Sequence, residues 1–254
     1  LLHDFGKVGV REEVLVKAKK LHRAQLELVL ARLEHMRTAA RARMLEDQLA
    51  RARARQPDDG AAQRAYAARL AEIEGFRQAI LAANEPSIMP EEAGSAIHAV
   101  AAQSFHDVDG RPIRLLEGPD LQALLIERGS LTPHERTEVQ NHVRHTYAFL
   151  RQIPWGRDLG GVPEIAAKHH EYLNGSGYPN QLPAAEIPVQ ARMMTIADIF
   201  DALTAADRPY KKAVPIPRAL DILGYEARAG KIDADILEVF IAARVFDCLN
   251  LPGS

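Results

Sequence analysis

Cysteine is almost missing from this sequence. The single Cys248 rules out a disulfide framework and any zinc site built on several thiolates. That usage fits a reducing, cytosolic setting. No apolar run approaches the roughly 20 residues that a membrane-spanning helix needs. No basic-then-apolar leader opens the chain. The first residue is Leu1, inside the apolar phrase LLHDFGK, so further residues upstream are expected. Charge of one sign is lacking as well. The formal net charge is -2, and nothing global drives the chain towards nucleic acid or a membrane. An arginine-rich run from Arg37 to Arg55 has Glu34, Glu46 and Asp47 about it and reads as a solvated helix face. Internal repeats and strand–helix alternation are also absent, which points to an all-α fold.

What is present is a chain of 254 residues with an ordinary apolar fraction of 47%. That allows one large domain, or a domain with a sizeable insertion. Residues 1–20 read as a helix end, a loop through Gly6 and Gly9, and a second short helix. Leu26, Leu30, Leu33, Ala40, Met44 and Leu49 then recur at helical spacing as far as Arg55. QPDDG breaks that helix, and Tyr66, Leu70, Ile73, Phe76 and Ile80 mark another. Together they predict an antiparallel helical hairpin. NEPSIMPEE reads as a linker, Asp109-Gly110 as a β-hairpin turn, and Gly118-Pro119 as the start of a short helix. Thr132-Pro133-His134-Glu135 is a capping box opening a helix that runs to about Arg151. Further helices are predicted from Pro163 through His170, from Pro188 to Ala205, and over 216–229 and 233–248.

Four groups of residues carry chemistry: His3-Asp4 with Lys7, His142, His169-His170, and Asp198 with Asp201. Imidazole nitrogen and carboxylate oxygen are the donors that first-row divalent metals accept. Neighbouring residues on a helix point about 100° apart, so His169 and His170 suit two metals better than one. A carboxylate with two oxygens can bridge such a pair. A two-metal centre activates water and clamps both oxygens of an in-line phosphoryl displacement. Lys7 stands about one turn after Asp4 and could neutralise a phosphate oxygen. Each piece has a plainer explanation alone. A His-Asp pair is often a helix cap, His145 competes with His142, and Asp201 can be a supporting carboxylate. His22, His35, His98, His106 and His134 are taken as structural or solvent-exposed.

HDFGK at 3–7, LTPHERTEVQNH at 131–142, HHEYLNGSGYP at 169–179 and ADIFDALTAADRPYKKA at 197–213 resemble the HD-GYP subgroup of the HD metal-dependent phosphohydrolases. The resemblance covers residues 1–20 and about 129–245, with Asn174 where aspartate is commoner. It implies an HD-domain helical bundle and hydrolysis of cyclic di-GMP to pGpG or GMP. It implies two or three divalent ions, most often iron or manganese. By position, His3, Asp4, His142, His169, His170 and Asp198 match metal ligands, with Asp4 as the bridge. Lys7 matches a phosphate-contacting lysine with a catalytic part. Arg208 and Lys211 match basic residues that hold substrate phosphate, and arginine suits that task through bidentate bonding. Gly177, Tyr178 and Pro179 line the site, and Asp201 stands beside it. The same loop is implied in contact with a diguanylate cyclase domain.

The chain departs from that family twice. The family's helix before HDFGK supplies another ligand, and because the sequence opens at Leu1 the domain is read as truncated, with that ligand expected upstream. About 100 residues also separate VLVKAKKL from GSLTPHE. The expected organisation is residues 1–21 and 129–254 as one domain, with 22–128 as a helical insertion. Near-heptad spacing in the insertion allows a homodimer. Alternatives are a catalytically impaired cyclic di-GMP sensor or interaction module, and an HD phosphohydrolase for another nucleotide.

Overall fold

A computed structural model of the chain describes residues 2–57, 59–107, 109–205 and 213–250, without the side chains of 248–250. It is all-α apart from one short hairpin. None of the described helices is long and apolar enough to cross a membrane. The chain forms two compact units, one of Leu1–Glu12 with Arg136–Ser254 and one of Glu13–Glu135.

The second unit is built on two long helices. After the short α1 (Glu12–Leu15) come α2 (Arg23–Arg53) and α3 (Ala61–Ala83). The α2 face that meets the core is Val29, Leu33, Met36 and Ala39, with Leu26 and Leu30 at its margin. This stripe is one residue off the predicted one in places, and it stops at Ala39. Beyond it Leu45 and Leu49 are about half exposed. Ile73 and Ile80 answer from α3, with Phe76 beside them, as their i, i+3, i+7 spacing requires.

The linker-like stretch is more ordered than its composition implied. Pro90 caps α4 (Glu91–Ala101), whose Ile97 and Val100 complete the core. The hairpin falls where Asp109-Gly110 placed it, pairing β1 (Ser104–His106) with β2 (Pro112–Arg114). Asp107 shapes the turn by accepting bonds from the Asp109 and Arg111 N–H groups. A short α5 (Gly118–Leu124) follows.

The predicted capping box is present. Glu135 accepts from the Thr132 N–H at 2.8 Å, and Thr132 Oγ1 accepts from the Glu135 N–H at 3.3 Å. Glu135 does more than cap. It is buried, and Lys17 Nζ lies 2.7 Å and His22 Nε2 2.6 Å from its oxygens. Burial alone would raise its pKa; the bonds from Lys17, Thr132 and His22 outweigh that and bring it to about 2. Because the folded value lies below the ordinary 4.5, the contribution is complete above about pH 4.5 and is lost as pH falls towards 2. Glu135→Gln leaves the buried Lys17 ammonium without its countercharge, which should cost about 3 kcal/mol at pH 7. Urea unfolding of both proteins should show that gap narrowing below pH 4.5. A gap that does not change with pH would mean the ion pair is not its source.

In the first unit, residues Leu2–Gly9 form a 3-10 helix, not a helix end and loop. The helix expected to run unbroken to Arg151 breaks at Asn141 into α6 (Pro133–Gln140) and α7 (His142–Leu150). The next, α8, spans Val162–Ala167 and ends before the paired histidines. Then come α9 (Val189–Thr204), α10 (Ile216–Arg228) and α11 (Ala234–Ala242). Ile196 and Phe200 of α9 pack with Ala219 and Leu223 of α10 and Leu237 of α11. That packing fixes the helix that carries Asp198.

Candidate metal centre

The 3-10 helix is clamped onto α7. Thr146 Oγ1 accepts from the Gly6 N–H at 2.8 Å and donates to the His3 carbonyl at 3.1 Å. Gly6 permits this approach: a Cβ there would lie 1.9 Å from the His142 carbonyl oxygen. The backbones meet so closely that His3 and Asp4 are held over the start of α7, where His142 stands.

Two histidines are oriented from behind. His142 Nδ1 lies 2.6 Å from the Val139 carbonyl oxygen, and His169 Nδ1 lies 2.6 Å from that of Ala166. A carbonyl oxygen only accepts, so each Nδ1 carries a proton, and in the neutral ring Nε2 is left with a lone pair. Thr195 of α9 adds a bond to the His169 carbonyl at 2.7 Å. Both rings are buried. Among the described residues, His142 Nε2, His169 Nε2 and Asp4 Oδ1 are the buried side-chain polar atoms without a hydrogen-bond partner. His142 Nε2 and Asp4 Oδ1 are 3.2 Å apart. Native interiors rarely tolerate such orphans, and a cation between them satisfies all three.

The candidate ligands fall into two groups that share Asp4. One is Asp4, His142, His169 and His170; the other is His3, Asp4 and Asp198. His3 Nε2 lies 3.3 Å from Asp4 Oδ2 and 3.6 Å from Asp198 Oδ1. His170 Nδ1 is 4.0 Å from Asp198 Oδ2. The paired histidines stand in one group, their ring centroids 4.0 Å apart. The helical argument for splitting them fails because α8 ends at Ala167 and both lie in the turn beyond it.

The charges are balanced against one another. Asp198 and Asp4 push His3 up to about 9. Burial opposes ionisation of Asp4, but His142, His3 and Lys7 hold its carboxyl well below the usual range. Burial pushes His169 down, and it pushes His170 down with help from the neighbouring His169. Neutral imidazoles and ionised carboxylates are the forms that bind metal. A nitrogen and oxygen donor set, with buried lone pairs and histidines fixed by backbone carbonyls, fits a divalent first-row metal.

The remaining predicted residues divide. Lys7 Nζ lies 2.6 Å from Asp4 Oδ2. Gly177 and Tyr178 sit against the cluster, where Tyr178 stacks on His170 with centroids 4.7 Å apart, and Pro179 follows them in the loop. Gly177 is required by contact, since a Cβ there would lie 2.3 Å from the Tyr172 nitrogen and 2.5 Å from the His170 oxygen. Asp201 is exposed, one turn beyond Asp198, and belongs to neither group. His145, the competitor of His142, is exposed and lies against Gly9. Arg208 and Lys211 lie outside the described residues. Sequence reasoning missed Thr146 and Thr195. Each holds the backbone of a candidate ligand, and a lone threonine on a helix carries no signal for that.

Comparison with known proteins places an HD domain at residues 112–236, about half of the chain. That span contains His142, His169, His170 and Asp198, whereas His3 and Asp4 precede it. The chain is 33% identical over 120 residues to the 3'3'-cGAMP-specific phosphodiesterase 1 of Vibrio cholerae, covering 47% of this chain and 27% of that protein. It is 36% identical over 122 residues to the cyclic di-GMP phosphodiesterase response regulator RpfG of Xanthomonas campestris, covering 48% and 32%. It is 35% identical over 120 residues to a cyclic di-GMP phosphodiesterase of Thermotoga maritima, covering 46% and 31%. The matches span about a third or less of each of these relatives.

Proposed function

We propose that this chain, which carries an HD domain of the HD-GYP type, is a metal-dependent phosphodiesterase that hydrolyses cyclic dinucleotides in bacterial second-messenger signalling in the cytoplasm. The observation that carries the proposal is the set of three buried, unpartnered ligand atoms on Asp4, His142 and His169. Catalytic need explains them where folding stability does not.

Asp4 belongs to both ligand groups and would serve as the bridge between them. His142, His169 and His170 complete one half, and His3 and Asp198 the other. Bound divalent ions, iron or manganese by resemblance, supply positive charge and an activated water at such a centre. The chain's own groups then manage the substrate. Water oxygen bonds to phosphorus, and the 3′ oxygen leaves with a proton. Lys7, already 2.6 Å from Asp4, meets the phosphate charge beside the cluster. Arg208 and Lys211 hold the other phosphate, Asp201 supports the rim, and Gly177 to Pro179 wall the site. Cyclic di-GMP is the proposed substrate, opened to pGpG and then to GMP. A second substrate is 3'3'-cGAMP, because one of the relatives is named as specific for it.

Residues 22–128 are proposed as an insertion into the domain formed by 1–21 and 129–254. The exposed Leu45 and Leu49 favour self-association through it, and the Gly-Tyr-Pro loop is the proposed contact for a cyclase domain.

The test is hydrolysis of both dinucleotides after anaerobic loading with iron or manganese, with metal counted in the same samples. Turnover with about two ions per chain is expected. Metal without turnover of either would turn the proposal into a nucleotide sensor or interaction module. Turnover of a different nucleotide would make it a phosphohydrolase of another kind.

A further inference from the structure

Glu171 follows the paired histidines directly and carries a carboxylate, a group able to ligate a metal. Its contacts lie elsewhere. The side chain is buried, yet it belongs to neither ligand group. One oxygen accepts from the Asn180 N–H at 2.7 Å and the other from the Leu182 N–H at 3.0 Å. Both oxygens thus face the far end of the loop that begins at Glu171, and the carboxylate closes that loop across its base. A buried charge held by two backbone donors is a strong tie, because breaking it leaves the charge without compensation.

The loop has an outer tie as well. Asn174 Oδ1 accepts from the Ser176 N–H at 3.1 Å and from its hydroxyl at 2.7 Å. Asn174 Nδ2 donates to the Ala229 carbonyl at 3.2 Å, and the Leu173 N–H donates to the Lys231 carbonyl at 2.9 Å. An aspartate at 174 keeps the first set and loses the Ala229 bond. Between the two ties sit Gly177 and Tyr178. The Tyr178 N–H donates to the His170 carbonyl at 3.0 Å, and its ring covers the His170 ring.

We infer that Glu171 is a positioning residue: it closes the 171–182 loop so that Tyr178 is held flat on His170, and it ligates no metal. The inference rests on the phosphodiesterase reading only for its kinetic consequence. Glu171→Gln in the full chain replaces one acceptor oxygen by an NH2 group that opposes a backbone N–H. Amide hydrogen exchange at Tyr178, Asn180 and Leu182 should quicken by roughly tenfold or more. Bound metal per chain should stay unchanged. The kcat for cyclic di-GMP should fall roughly 10- to 100-fold, as expected when a loop is displaced by about an ångström. Glu171→Asp should fail to restore it, being too short to reach both donors.

Loss of metal in step with activity would overturn the inference and make Glu171 a ligand. Unchanged exchange in the three amides would overturn it too. Should Glu171→Gln not fold, Asn174→Asp tests the loop from its outer tie, with faster exchange confined to 174–178 expected and unchanged exchange counting against. The exchange result stands even if no dinucleotide is turned over, so failure of the loop role and failure of the enzyme reading are separable.

Discussion

Alanine in place of Asp4 should lower kcat by roughly a thousandfold or more and strip metal from both halves of the cluster. Asp4 is the one residue common to both ligand groups. Its Oδ1 faces His142 at 3.2 Å, and its Oδ2 faces His3 at 3.3 Å and Lys7 at 2.6 Å. Removing it withdraws a donor from each half at once and unpairs Lys7. A metal centre is worth several kcal/mol to a phosphoryl transition state, and each 1.4 kcal/mol is a factor of about ten. Single-group changes give the contrast. Asp198→Ala touches one group and should leave about one ion per chain. Lys7→Ala should keep the metal and lose rate, since its nitrogen is no ligand. Metal counting on the three variants beside kcat separates these outcomes. If Asp4→Ala kept half of its metal and half of its rate, the shared-ligand arrangement would be wrong.

The second large effect comes from a residue with no side chain. Gly6→Ala puts a methyl 1.9 Å from the His142 carbonyl oxygen and 2.6 Å from the Thr146 nitrogen. Both are backbone atoms of α7 and cannot rotate away. The 3-10 helix must lift, the Thr146 bonds to Gly6 and His3 break, and the loss should be about 3 kcal/mol. Metal content should fall as well, because His3 and Asp4 ride on that helix. Gly9→Ala is the control. Its methyl meets the exposed His145 ring at 2.8 Å, and that ring can swing aside. Thermal unfolding should therefore separate the two alanines by several degrees, with Gly6→Ala the lower. Equal melting temperatures would mean that the close approach at Gly6 is not needed.

The convergence of the candidate ligands was legible in the sequence because ligand types are few and their motifs are long. His3, Asp4, His142, His169, His170 and Asp198 all converge. The capping box at Thr132 and the turn at Asp109-Gly110 were legible for the same reason, since each is a local pattern with a local cause. Contacts between distant segments were not. Gly6 reads as a loop glycine, and only the backbone of α7, 140 residues on from it at Thr146, shows its purpose. Tyr178 reads as a residue that lines the site, and only the fold shows that its ring is stacked on His170. The helix period does not apply to His169 and His170, because α8 ends at Ala167 and the sequence does not mark that end. Lys20 was unreadable for another reason. It sits among lysines that look solvated, yet it is 1% exposed, with its ammonium 3.3 Å from the Leu124 carbonyl.

The unit Glu13–Glu135 begins and ends in one place. Lys17 near its start reaches Glu135 at its close, and Ser130 donates to the Lys17 carbonyl. That has a consequence for the order in which the molecule forms. Gly6 and Thr146 must find each other across 140 residues, and closing so long a loop in an unfolded chain is slow. Once the intervening unit has folded, its joined ends act as a single short link. The closure entropy then falls by about 2 kcal/mol, and the search shrinks to that of a small loop. The helical unit should therefore fold ahead of the cluster, and a variant that loosens its ends should slow the appearance of metal binding more than it weakens the metal once bound.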